Sequence, residues 1–306
     1  MTKALSKFAA LPLLLLTTSI LATPVQAAIN ILACEPEWGA LAQEIGGELL
    51  SVSNATSALQ DPHHIQAKPS LLARARSADM LVCTGAELEI GWLPILLQQS
   101  GNPKIQPGKP GYFEAARQVK MLEIPVRLDR AEGDVHAGGN PHIQTDPRNI
   151  GLVAAALAKQ LAEVDPVNAA TYRSRHADFA TRWQAAITRW EKQAAPLRGQ
   201  AIVVQHNGFP YLENWLGLKR VATLEPKPGV EPNSGHLAAV LSDLQRQPAG
   251  LILRAAYNSG RSSEWLSGRT AIPAIVLPYT VGGSDKARDL FGLFDDTIAR
   301  LMVVIK

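Results

Sequence analysis

The sequence predicts an α/β protein made of two doubly wound (β/α) lobes joined by a long, rigid backbone helix. Three observations carry this reading. Short apolar runs alternate with amphipathic stretches over residues 29–83, the same alternation returns over 200–277, and a helical stripe of aromatic side chains lies between them.

In the first half, residues 29–34 read as a strand and are followed by a helix that places Trp38, Leu41 and Ile45 on one face. Residues 49–52 form a second strand, 71–75 a helix and 79–83 a third strand. This βαβαβ order implies a mostly parallel sheet covered by helices. A polar, Gly-rich loop over 131–140 precedes a helix that starts near Asp146-Pro147 and runs through 150–162. Asp165-Pro166 divides it from the next, since aspartate caps helices and proline suits their first turn. That next helix, over 167–195, carries Phe179, Trp183, Ile187 and Trp190 at spacings of four, four and three. At about 1.5 Å per residue it spans roughly 43 Å, enough to run along both lobes.

The second half repeats the pattern. Residues 200–205 are a strand ending at His206, 211–216 a helix, 221–224 a strand and 234–245 a helix that Pro232 and Ser234 help to start. Two more strands, 251–253 and 274–277, precede a closing helix over 289–305. The expected organisation is a signal peptide over 1–27, a first lobe over 28–164, a connecting helix over 165–196 and a second lobe over 197–306.

The signal peptide rests on Lys3 and Lys7 before an apolar stretch from Phe8 to Leu21, then Pro24 and the small residue Ala27. The stretch is shorter than the roughly 18 residues needed to span a bilayer, so the mature chain is expected to be soluble and exported. Residues 31–34 loosely mimic a lipobox, but they lie far beyond the apolar core. Without Lys3 and Lys7 the formal charge falls from +3 to about +1, the basic residues are scattered and aromatics make up only 6%. Neither a phosphate-tracking stripe nor a base-stacking platform is present, which argues against nucleic acid as a partner. Cys34 and Cys83 close the first and third strands, adjacent in a sheet of order 2-1-3, and an oxidising compartment would let them pair. Two buried free thiols are the alternative.

Ligands of such sheets bind beyond the carboxyl ends of the strands. Three widely spaced histidines fall in or near such loops: His63 in Asp61-Pro62-His63, His142 in Asn140-Pro141-His142 and His206 in Gln205-His206-Asn207. Neutral imidazole is the commonest protein ligand for zinc, so a metal site in the interlobe cleft is expected.

Taken in order, Asp61-Pro62-His63, Gly133-Asp134-Val135-His136, Gly139-Asn140-Pro141-His142, Asp146-Pro147, His206-Asn207-Gly208-Phe209 and Glu231-Pro232-Asn233 resemble the successive signatures of the ZnuA/TroA type of metal-binding protein of ABC importers. The resemblance covers essentially the whole mature chain. Asp134-Val135-His136 and Thr280-Val281-Gly282-Gly283 most resemble its AztC-like zinc branch.

The resemblance implies His63, His142 and His206 as metal ligands, and zinc as a transported ligand rather than a resident cofactor. It also implies a membrane permease of a zinc ABC transporter as partner, with a periplasmic metallochaperone as a second candidate and a monomer as the working unit. Relatives often draw a fourth ligand from Leu-Asp-Pro-Leu-Gly after the last strand, whereas this chain reads Leu277-Pro278-Tyr279-Thr280-Val281-Gly282-Gly283-Ser284-Asp285. Asp285 is the nearest carboxylate and is expected to fold back over the two glycines, with Tyr279 or water as alternatives and a helix N-cap as the structural reading. His64 is expected to face the loop or solvent. His136 is read either as a transient metal collector or as part of an ordinary solvated loop. Arg254 stands where relatives place an acidic residue and is expected to pair with Glu231 or Glu225.

Three imidazoles and a carboxylate favour zinc over manganese, which prefers more oxygen ligands. Manganese capture, a metallochaperone and a zinc hydrolase are the rival readings. The hydrolase lacks a His-Glu-x-x-His helix and an obvious general base.

Overall fold

A computed structural model describes residues 28–127 and 133–303. The expected signal peptide, Ala131, Glu132 and the last residues of the closing helix lie outside them. Seven short strands were expected, and the described residues contain eight, in two all-parallel sheets of order β2-β1-β3-β4 and β6-β5-β7-β8.

The first sheet comprises β1 (Ile29–Ala33), β2 (Leu50–Asn54), β3 (Met80–Cys83) and β4 (Tyr112–Glu114). Central β1 pairs Ile31 with both Val52 and Met80. Helices α1 (Pro36–Gly46), α2 (Pro69–Ser77) and α3 (Leu93–Ser100) cover it. Both α1 and α2 open on a proline, whose missing N–H costs nothing in the first turn. Next come α4 (Pro147–Val164) and α5 (Ala169–Ala194), the latter flanked by three-ten turns. The second sheet comprises β5 (Ala201–Val204), β6 (Lys219–Thr223), β7 (Leu251–Ala255) and β8 (Ala274–Leu277), with α6 (Pro210–Leu216), α7 (Ser234–Arg246), α8 (Arg261–Thr270) and α9 (Leu290–Met302) around it. No helix among the described residues is long and apolar enough to cross a membrane.

The long helix between the lobes is α5, packed against α1, α4 and α9. Its stripe is buried as its spacing requires: Phe179, Trp183, Ile187 and Trp190 belong to an apolar cluster that continues through both lobes. Trp183 donates to Pro147 O at 2.7 Å, and its ring meets Phe291 and Phe294 of α9 at 4.9 and 5.6 Å. One side chain thereby joins the start of α4 to the closing helix.

The disulfide Cys34–Cys83 is present, with Cα atoms 4.7 Å apart at the ends of β1 and β3. Arg254 departs from expectation. Its guanidinium faces Glu264 of α8 at 3.5 Å and donates to Asn258 O at 3.0 Å. The carboxylate of Glu225 faces His206 instead.

Candidate metal centre

Each of the three histidines is brought inward by a different local device. His63 sits in the loop between β2 and α2, where Asp61 Oδ1 accepts from both the His63 amide (3.0 Å) and the ring Nδ1 (2.7 Å). Trp92 Nε1 holds the same loop through Pro62 O at 2.8 Å. His206 is separated from the end of β5 by one residue, and its Nδ1 is 2.8 Å from Glu225 Oε2, just past the neighbouring strand β6.

His142 does not follow a strand end. It comes at the end of the long connection from β4 and leads into a three-ten turn before α4. Here the Asn140 side chain accepts from the His142 amide at 3.1 Å and donates to Asn207 O at 2.9 Å, while Tyr211 Oη donates to Asn140 O at 2.8 Å. The segments carrying His142 and His206 are thus stitched together across the cleft.

All three imidazoles are buried, and each offers a ligand atom within 4.8 Å of the others. His142 Nε2 and His206 Nε2 are 3.2 Å apart, close to the roughly 3.3 Å edge of a tetrahedron with zinc–nitrogen bonds of about 2.05 Å. His63 Nε2 is buried without a hydrogen-bond partner. Asp61 and Glu225 accept hydrogen bonds at Nδ1 of His63 and His206, which leaves the Nε2 atoms to face an ion. Burial and the neighbouring imidazoles of His206, His63 and His136 hold His142 well below the usual histidine range, so it is neutral and ready to ligate. Burial alone would raise Asp61, but the hydrogen bonds from His63 win and lower it.

Asp285 is not brought into this group. Gly282 N bonds Ala287 O at 2.6 Å, Gly283 N bonds Thr280 O at 3.1 Å, and Ser284 Oγ bonds Asp296 Oδ2 on α9 at 2.6 Å. The turn closes on itself and leaves Asp285 exposed, in a surface hollow with Lys286 and Arg300. Nor does Asp285 cap α9, since Asp289 accepts from Gly292 N there.

Tyr279, in contrast, is buried, with its ring 5.6 Å from that of His142 and its hydroxyl donating to Gly208 O at 3.3 Å. A Cβ on Gly208 would stand 2.7 Å from that hydroxyl and 3.3 Å from His206 Cδ2, so a larger residue there would displace Tyr279. His64 is 65% exposed and faces Asp134 at 3.6 Å, outside the triad. The ring of His136 lies 5.4 Å from that of His63.

Asp61 and Glu225 were not singled out as partners of the histidines. For Asp61 the signal was available, since a carboxylate two residues before a ligand can reach the far ring nitrogen. Glu225 is separated from His206 by a whole βαβ step, and only the β5–β6 pairing reveals it.

Comparisons with known proteins bear on the fold and the family. Zinc uptake protein ZnuA of Paracoccus denitrificans (strain Pd 1222) is 22% identical over 247 residues, covering 70% of this chain and 72% of that protein. The iron-binding protein YfeA of Yersinia pestis is 26% identical over 190 residues, with 59% and 54% covered. A crystal structure of ZnuA superposes with TM-score 0.76 at 23% identity, over 92% of this chain and all of that one. A manganese-bound periplasmic metal-binding protein from Candidatus Liberibacter asiaticus gives 0.73 at 16% identity, with 91% and 100% covered. The family model for ZnuA, zinc-uptake complex component A, periplasmic, matches residues 31–302, and the chain belongs to that family.

Proposed function

We propose that this protein captures zinc in the periplasm and presents it to the membrane permease of an ABC importer, with His63, His142 and His206 holding the ion through Nε2. The single observation that carries the assignment is the convergence of three buried imidazoles within 4.8 Å, two of them backed by carboxylates. Three nitrogen donors of borderline softness suit zinc better than manganese.

The mechanism is binding rather than turnover. A hydrated ion entering the cleft exchanges water for imidazole nitrogen, and His142, held below the usual histidine range, need shed no proton to accept it. The carboxylates of Asp61 and Glu225, one bond removed, offset the incoming charge. Because α5 is packed into both lobes, opening and closing are confined to loop shifts and small tilts, not a wide hinge. The lobe boundaries that go with this reading are 28–164 and 197–306, with 165–196 as the connecting helix. The protein works as a monomer, and a periplasmic metallochaperone is a second partner for the loading step.

The test is a zinc titration in competition with a chromophoric chelator, repeated against manganese. His142→Ala is expected to weaken zinc binding sharply while leaving the fold intact by circular dichroism. Unchanged zinc binding in that variant, or tighter binding of manganese by the wild type, overturns the assignment.

A further inference from the structure

Glu123 holds a left-handed backbone, φ 53°, which a glutamate keeps only where its surroundings impose it. Two hydrogen bonds pin the bend: Leu122 N donates to Tyr211 Oη at 3.0 Å, and Asn140 N donates to Leu122 O at 2.8 Å. The Glu123 carboxylate then meets three segments at once. Its Oε1 accepts from Arg220 Nη2 of β6 at 2.6 Å, and its Oε2 accepts from Asn207 Nδ2 at 2.8 Å and Asn140 Nδ2 at 3.1 Å. Arg220 Nη1 closes the ring by donating to Asn207 Oδ1.

We infer that Glu123 is a positioning residue of the metal site: with Arg220 it locks the segment carrying His142 to the segment carrying His206, slowing zinc release and disfavouring manganese. The inference rests on the zinc-capture reading and adds to it what sets the spacing of two ligands.

The path from the carboxylate to each imidazole is short. Asn140 Oδ1 accepts from the His142 amide at 3.1 Å, and Asn207 is the residue after His206. Each ring is therefore reached through a single asparagine. Between them, Asn140 Nδ2 also donates to Asn207 O at 2.9 Å. Two buried imidazole nitrogens only 3.2 Å apart stay in that relation because the segments behind them are tied.

An isolated surface ion pair would be too weak for this task. Here the guanidinium is 23% exposed and the carboxylate 34%, Glu213 of α6 faces Arg220 Nε at 3.5 Å from another side, and both asparagines share the Glu123 oxygen. A network in fixed geometry orders its members together. The consequence for metal choice follows from coordination number. Zinc is satisfied by a few converging nitrogens, whereas manganese favours a larger, oxygen-rich sphere, and water supplies those oxygens only if the two segments part.

The experiment measures zinc release into excess chelator by stopped flow, the ratio of zinc to manganese affinity by competition, and a thermal melt. Glu123→Ala is expected to release zinc about tenfold faster, the lower end of what outer partners of metal ligands contribute, and to narrow the zinc-over-manganese ratio. Arg220→Ala is expected to do the same, and the double variant to go little further than either, because both break one lock. Glu123→Gln keeps the bulk of the side chain without its charge and is expected to fall between; it carries the test if Glu123→Ala does not fold. The control is Lys104→Ala, which breaks a 2.6 Å pair with Asp79 at the opposite end of the first sheet and is expected to leave release and ratio as in wild type. Release and ratio unchanged in Glu123→Gln and Glu123→Ala, whatever happens to melting temperature, overturn the inference, as do effects of Glu123→Ala and Arg220→Ala that multiply in the double variant. A wild type that takes up no zinc defeats the capture reading itself, whereas zinc held as firmly without Glu123 defeats only the positioning role.

Discussion

Glu225 Oε2 lies 2.8 Å from His206 Nδ1 and, through the same oxygen, 2.9 Å from the amide of Gly229. One carboxylate therefore sets the tautomer of a candidate ligand and shapes the turn whose Pro228 carbonyl receives Asp134 N. Orienting partners of this kind typically contribute about 10- to 100-fold to metal affinity. Glu225→Ala is expected to lose zinc affinity in that range with little change in melting temperature. Asp61→Ala is expected to do the same through His63. Chelator competition and a thermal melt check both, and an affinity unmoved in both variants would show that the rings hold their orientation without these carboxylates.

The buried glutamates of the first lobe are expected to cost metal-free protein stability between pH 5 and pH 8, against the opposite contribution of the lowered His142 and His136. Burial pushes Glu37 up to about 7 against the opposing hydrogen bond from Thr280, and burial likewise pushes Glu89 up to about 7. Glu35 is raised too, by burial first and then by the charges of Glu89 and Glu37. Between the ordinary value of 4.5 and about 7 the folded chain holds protons that the unfolded chain has released. The stability from these groups is therefore complete below the unfolded value and lost as pH rises through 7. For Glu37 it is on the order of 1 to 3 kcal/mol, or several degrees of melting temperature. Glu37→Gln should remove this share of the pH dependence; a curve unchanged in that variant would assign the effect elsewhere.

The disulfide closes a loop between residues 49 apart in sequence, and joins strands that are already neighbours in the sheet. Chain entropy for such a loop gives about 4 kcal/mol as an upper figure, and native disulfides typically contribute about 2 to 5. Cys34→Ala with Cys83→Ala is expected to lower unfolding free energy by about 2 to 4 kcal/mol. Zinc affinity should change little, because the bridge contacts none of the triad. Denaturant unfolding and a zinc titration of the double variant read the two effects separately.

How far the sequence was legible follows from where the information resides. The stripe from Phe179 to Trp190 could be read because helical periodicity is local, and the apolar runs of β1, β3 and β5 are buried almost throughout. Helix α3 and strand β4 were not read; β4 is only three residues long and, among the described residues, pairs with β3 alone. Helix α8 was missed because its sequence is mostly polar and buries only Ser262, Ser263 and Leu266. The three histidines stood out in their short motifs. The outward turn of Asp285 was illegible, since it depends on Ser284 reaching Asp296 of α9 and on Gly282 closing onto Ala287. The pairing of Arg254 with Glu264 was likewise hidden, because it required α8 to be in place.

Trp183 carries the last prediction. Its indole donates to Pro147 O at the start of α4, and its ring packs on Phe179, Trp190, Phe291 and Phe294, so it holds together parts of both lobes. Truncating a fully buried tryptophan costs about 3 to 5 kcal/mol through lost transfer energy and the cavity left behind. The consequence extends beyond stability, because the apolar cluster to which Trp183 belongs runs through both lobes, and they are therefore expected to unfold together. Trp183→Ala is expected to lower the melting temperature and to split one calorimetric transition into two. In the wild type the same packing should keep solution scattering of metal-free and zinc-loaded protein nearly superimposable. A large change in radius of gyration on adding zinc to the wild type would mean that α5 bends as a hinge, contrary to the rigid connection inferred from its packing.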